Sequence, residues 1–184
     1  GKRRKLVGSI RNIQEQKEKE EEQLRRNTTD DITGLYGFKA AMERLQECRK
    51  DRPDGIMMEL CVNHLQQINE KNGIVFGDMI LEELGGLVRN CCMAFSGTTG
   101  RETVALRLDG DEMVLWMEGQ SREQATEFAE DLMCKISASF EREIFSIEIH
   151  AGLVCGKKGQ TAETLISMAK LAQSLVREGV TGYL

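Results

Sequence analysis

Residues 107–114 read Arg107-Leu108-Asp109-Gly110-Asp111-Glu112-Met113-Val114. Apolar residues alternate on both sides of this stretch: Val104, Leu106 and Leu108 before it, Met113, Leu115 and Met117 within and after it. Period-two alternation over two short runs predicts a pair of half-buried strands. Asp109-Gly110 between them predicts a two-residue hairpin turn, because glycine tolerates the positive φ such turns need. Asp111 and Glu112 are then expected at the tip of the hairpin. Two adjacent carboxylates repel each other there unless a cation or a substrate uses them; a solvated acidic turn is the other reading of the same residues.

The chain of 184 residues is long enough for one domain plus an appendage, and its 40% hydrophobic content supports a real core. A net charge of −5 argues against a general nucleic-acid binder. Cysteines 48, 61, 91, 92, 134 and 155 form no C-x-x-C pair and no zinc spacing, so reduced thiols in the cytoplasm are expected. His64 and His150 have no ligand partner at metal spacing in the sequence. No apolar run reaches membrane-spanning length, and no signal peptide is expected.

Residues 1–27 are charged, Gln-rich and free of aromatics. Leu6, Ile10, Ile13 and Leu24 form a thin seam that predicts a helix at the end of a coiled coil, through which a homodimer would form. A solvated single helix is the alternative. The basic cluster from Lys2 to Lys5 is what the cytoplasmic flank of a preceding membrane helix would carry, so a membrane-anchored parent protein is one expectation.

A domain is expected over residues 28–184. Asp and Thr residues at 28–33 can cap the helix that follows, whose apolar face would be Phe38, Ala41, Met42 and Leu45. Residues 55–62 predict a strand buried on both faces. A helix with Ile80, Leu84, Leu87, Val88 and Cys91 on one face is expected to run to about Cys92, its Gly85-Gly86 pair packed closely on a neighbour, and residues 93–101 read as a loop. Ser121-x-x-Gln124 is a capping box opening a helix on Ala125, Phe128, Ala129, Leu132, Met133 and Ile136. Residues 144–154 predict a strand. A last helix from about Thr161 buries Leu165, Met168, Ala169, Ala172 and Val176, and Gly179–Leu184 can add a short edge strand. The order is helix, strand, two helices, hairpin, helix, strand, helix: an α/β domain with a mixed sheet flanked by helices.

Three segments resemble one family in order and spacing. Arg107 to Met113 is similar to the signature hairpin of the GGDEF family, the diguanylate cyclases, with Asp109 in place of the first Gly and Met113 in place of Phe. Asp30-x-Ile-Thr-Gly-Leu-Tyr resembles the opening motif of that domain. Asn63 to Asp78 resembles, without a gap, the family's Asp-x-Asp-x-Phe-Lys-x-Ile-Asn-Asp-x-x-Gly-x-x-x-Gly-Asp, shifted so that its first Asp falls on Cys61. His150 takes the Ser position of a Val-x-x-Ser-Ile-Gly strand, and the final helix departs from the family pattern.

The resemblance implies a palm-like fold and the joining of two GTP molecules into cyclic di-GMP across a dimer, by attack of a 3′-hydroxyl on an α-phosphate. Mg²⁺ or Mn²⁺ would bind the triphosphate. The implied catalytic acids are Asp111 and Glu112, with Asp111 as metal ligand, but its partner position is Cys61, a poor ligand for a hard cation. Glu59 lies two residues earlier on the same strand face, about 6.5 Å away along it, and is not expected to substitute. Asn63, His64, Leu65 and Gln66 would face the phosphates, together with Arg177 or Lys170 of the last helix. Asn69 and Asp78 would read guanine, an amide and a carboxylate suiting its O6 acceptor and N1/N2 donors. The inhibitory Arg-x-x-Asp falls on Gly100 and Thr103 and is lost. The expected protein is a degenerate member, weak or inactive as an enzyme, serving a bacterial-type signalling protein as a guanine-nucleotide-binding or dimer-transmitting output module. An active diguanylate cyclase and a scaffold that binds no nucleotide are the alternatives.

Overall fold

A computed structural model describes residues 28–140 and 147–177, apart from the side chains of Asp51, Val176 and Arg177. The expected N-terminal coiled coil, the edge strand at Gly179–Leu184 and the phosphate role of the Arg177 side chain lie outside the described residues.

The elements run α1 (Phe38–Asp51), β1 (Gly55–Val62), α2 (Leu65–Asn72), α3 (Ile74–Thr99), β2 (Thr103–Asp109), β3 (Glu112–Glu118), α4 (Arg122–Phe140), β4 (Ile149–Gly156) and α5 (Ala162–Arg177). The order is the expected one. The strands form an antiparallel sheet in the order β2-β3-β1-β4. Alternation along β1 sends Ile56, Met58, Leu60 and Val62 to one face and Met57 to the other. The first face packs under α3 and α4 through Ile80, Leu84 and Val88 and through Phe128, Leu132 and Ile136. The second packs under α1 and α5 through Ala41, Leu45, Leu165 and Ala169. β3, expected to be half-buried, is buried from Met113 to Met117, because its place inside the sheet leaves it covered on both sides.

The hairpin turn also differs. Asp109 pairs with Glu112, so the two turn residues are Gly110 and Asp111 rather than Asp109 and Gly110. An irregularity between Arg107 and Asp109 moves the register by one step, and Gly110 takes the positive φ of 50°. Of the two acids only Asp111 is in the turn; Glu112 opens β3.

Residues 93–99, expected to be loop, continue α3. Thr98 and Thr99 hydroxyls donate to the carbonyls of Ala94 and Phe95, and the Phe95 ring lies 4.8 Å from that of Phe128. The helix ends where Gly100 adopts the left-handed conformation, with φ of 64°. Gly85 is pressed on Thr33 so closely that a Cβ would overlap it, as expected, whereas Gly86 meets nothing. Phe38 and Met168, expected in the core, are exposed; Cys48 and Ile166 take buried places on α1 and α5.

Asp30 does not cap α1, whose N-cap Gly37 makes no side-chain bond. Its carboxylate instead accepts the Thr33 amide and hydroxyl, each at 2.8 Å, closing the turn before Tyr36. Tyr36 then bridges to Leu106 in parallel and exchanges backbone bonds with Ala105 and Arg107 on β2. The capping box is present as read: the Gln124 amide donates to Ser121 Oγ at 3.3 Å and the Ser121 amide to Gln124 Oε1 at 3.0 Å. All six cysteines are free thiols. No helix among the described residues is long and apolar enough to cross a membrane.

Candidate functional site

The C-terminal end of β1 meets the hairpin turn and the start of β4. Cys61 pairs with Glu112 on one side and with His150 on the other. Residues directly opposed in a ladder share a face, so Glu112, Cys61 and His150 form a row across three strands, on the face covered by α5. Asp111, in the turn, completes it: the Cys61 thiol donates to Asp111 Oδ2 at 3.2 Å. Glu112 is engaged as well, its Oε2 lying 2.5 Å from Lys170 Nζ of α5. His150 Nε2 is 3.2 Å from Glu148 Oε1.

Glu59 sits two residues back on the same face, 1% exposed, with Oε2 unpartnered. Burial, reinforced by the charges of Glu112 and Asp111 and opposed by Lys170, pushes its carboxyl up to about 8. Burial also pushes the Cys61 thiol up, to about 12, together with its bond to Asp111 and the negative charges around it. The thiol therefore holds its proton at neutral pH and acts as a donor rather than an anionic ligand. Among the described residues no group of three or more His, Cys, Asp or Glu side chains converges to hold a metal ion. A sulfur in place of an oxygen donor, and two acids already bonded within the protein, do not fit Mg²⁺ or Mn²⁺.

The expected phosphate-side residues surround the start of α2. His64, at the turn from β1 into α2, has a positive φ of 60°, a conformation that strains a non-glycine residue. Asn63 is buried; its Nδ2 donates to Glu148 Oε2 at 2.8 Å while its Oδ1 has no partner. The Leu65 side chain belongs to the core, leaving only its backbone for a ligand, and Gln66 pairs with Glu70 at 3.0 Å on the exposed surface. Asn69 lies inside α2, not at a cap, and its unpartnered Oδ1 is buried against Gly77, where a Cβ would collide with it. Asp78 follows within α3, past its first turn, half-buried and so not an N-cap. The α2–α3 hairpin thus places Asn69 against the residue that precedes Asp78.

Arg107 braces the hairpin. Its guanidinium donates to the Gly110 carbonyl at 2.6 and 2.9 Å and to both Asp30 oxygens at 3.2 Å. Burial works against ionised Asp30, but the Thr33 bonds and Arg107 outweigh it and hold the carboxyl below its ordinary value. A cavity of about 590 Å³ between α3 and β2, lined by Tyr36, Arg89, Met93, Ser96 and Thr103 among others, contains none of the residues of the strand-end row. Sequence reasoning missed Glu148, and it missed two pairings between residues it had named or quoted: Arg107 with Asp30 and Lys170 with Glu112. Each joins residues far apart in the chain, and no local pattern signals them.

The family described as diguanylate cyclase, GGDEF domain, matches residues 27–178. A Streptomyces griseus protein known only as an uncharacterized protein in the hutH 5′ region is 30% identical over 145 residues, covering 77% of this chain and 55% of that protein. Diguanylate cyclase DgcP of Pseudomonas aeruginosa is 27% identical over 159 residues, 83% of this chain and 23% of DgcP. The chain thus spans about half, or less, of these relatives. Among solved structures, the coiled coil and GGDEF domain of Caulobacter crescentus DgcB, in complex with c-di-GMP, superposes with a TM-score of 0.78 at 18% identity, covering 95% of this chain and 93% of that one. Vibrio cholerae LapD S helix-GGDEF-EAL, bound to c-di-GMP, gives 0.76 at 17% identity over 90% of this chain and 38% of that one. At such identities the likeness is one of fold.

Proposed function

The chain belongs to the GGDEF domain family of cyclic di-GMP signalling proteins, and from that premise we propose that it is a degenerate member, weak or inactive as a cyclase, that binds a guanine nucleotide and acts as an output module. The observation that carries this reading is the Cys61–Asp111 hydrogen bond. The residue that would share a metal with Asp111 is a protonated thiol that donates to it, so the pair is satisfied without an ion. The base-reading side is better kept. Asn69 offers a buried amide oxygen without a partner, and Asp78 a carboxylate nearby in the α2–α3 hairpin. Guanine N1 and N2 donors match such acceptors. Backbone amides at the start of α2 would face the phosphates. Pairing through residues 1–27 would carry the nucleotide state to a second copy.

The test is calorimetric titration of GTP into the purified protein with Mg²⁺, followed by chromatography of the same sample for cyclic di-GMP. Binding without product is expected. Product would establish an active cyclase and overturn the reading of Cys61. Absence of binding would leave a scaffold that pairs without a nucleotide.

A further inference from the structure

The acids of the strand-end row are answered by the protein itself. Asp111 accepts the Cys61 thiol at 3.2 Å, and Glu112 is held by Lys170 at 2.5 Å. A divalent ion entering here would have to displace an ammonium and a thiol proton, and would gain a sulfur ligand that suits a hard cation poorly. Lys170 is also placed by more than its own side chain. The neighbouring backbone of α5, at Ala169 and Gln173, sits on Gly152 of β4 so tightly that a Cβ on Gly152 would overlap it. Gly152 pairs with Glu59, two residue pairs in from the Cys61–His150 pair and on the same face. Helix–sheet packing therefore delivers the ammonium to the end of the sheet where Asp111, Glu112, Cys61 and the unpartnered oxygen of Glu59 gather.

We propose that Lys170 is the resident cation of this site, doing the electrostatic work of a divalent metal, so that a nucleoside triphosphate is bound here through Lys170 and without a metal ion. The ammonium is a compact charge on a flexible four-carbon stem, able to turn from Glu112 to a phosphate oxygen while its helix stays in place. The inference rests on the guanine-nucleotide reading above and adds to it the basis of phosphate recognition.

Two titrations test it. In the first, Mn²⁺ alone is added to the protein and free Mn²⁺ is followed by electron paramagnetic resonance. No stoichiometric binding is expected; binding that disappears in Asp111→Asn would overturn the proposal. In the second, GTP and guanosine are titrated in EDTA and in Mg²⁺. GTP affinity is expected to be the same in both buffers within about twofold, and Lys170→Met to weaken GTP by about tenfold or more while leaving guanosine unchanged. Lys170→Arg should retain most of the GTP affinity. A tenfold fall in wild-type GTP affinity on removing Mg²⁺ would overturn this inference and leave the nucleotide reading standing. Equal losses of GTP and guanosine in Lys170→Met would show a structural role and also overturn it. No GTP or guanosine binding in either buffer would overturn the nucleotide reading itself.

Discussion

Cys61 Sγ lies 3.2 Å from Asp111 Oδ2, across the end of two antiparallel strands. That contact stands where two oxygens would be needed to share one hard cation. Cys61→Asp replaces a hydrogen bond by two facing carboxylates, which repel unless an ion joins them. The variant is expected to bind GTP about tenfold more tightly with Mg²⁺ than without it. Calorimetry in the two buffers checks this, and equal affinities would remove the metal position from the end of β1.

Glu59 gives the protein an unusual response to pH. Its folded carboxyl titrates near 8 instead of 4.5 because it is buried beside Glu112 and Asp111. The folded state therefore keeps a proton that the unfolded chain has lost, and stability falls as pH rises between those two values. The slope reaches at most about 1.4 kcal/mol per pH unit. Glu59→Gln, which cannot ionise, is expected to escape this loss, so the gap between variant and wild type should widen toward pH 8. Urea denaturation across the window measures it; parallel curves would show that Glu59 titrates normally.

Arg107 ties the hairpin turn to the turn closed by Asp30. Arg107→Ala leaves the Asp30 carboxylate without its cation and is expected to cost about 2–3 kcal/mol at neutral pH. Arg107→Lys should recover only part, since an ammonium cannot fork between the Gly110 carbonyl and Asp30. Because the Asp30 carboxyl is held below 3.8 in the folded protein, the contribution is complete above that value and is lost as pH falls through the lower, folded one. Chemical denaturation at neutral and acidic pH compares the three proteins.

Asp78 sits half-buried within α3, past its first turn. Asp78→Ala is expected to abolish GTP binding and to change unfolding free energy by less than about 1 kcal/mol. Calorimetry and thermal melts on the same preparation separate the two effects; retained GTP affinity would end the guanine role.

The elements that sequence reading placed well carry their own local chemistry. The capping box at Ser121 and Gln124 and the period of Ala125, Phe128 and Leu132 need nothing from the rest of the chain to be recognised. The errors arise where tertiary contacts decide. Residues 93–101 read as a loop, but the Phe95–Phe128 contact and the Thr98 and Thr99 hydroxyls accompany the continuation of α3 to Thr99. The hairpin register moved because the irregularity after Arg107 consumes one residue. At the candidate site, Cys61, Asp111, Asn69 and Asp78 were singled out by the resemblance of their motifs to the family's, and Lys170 was named beside them for the phosphates. The pairing of Lys170 with Glu112 and the contacts of Glu148 were not legible, since they come from the packing of α5 on Gly152 and the pairing of β1 with β4.

The parallel bridge from Tyr36 to Leu106 also decides how the molecule behaves toward its neighbours. β2 is the outer strand of the sheet on that side, and an uncovered outer strand invites pairing with another chain. Residues 28–37 occupy part of that edge, spending the amide of Arg107 and the carbonyl of Ala105 on Tyr36. The segment that opens the domain thus doubles as a guard against strand-to-strand aggregation. A fragment trimmed to start at α1 would retain every residue of the strand-end row and yet present a free edge on which copies could stack.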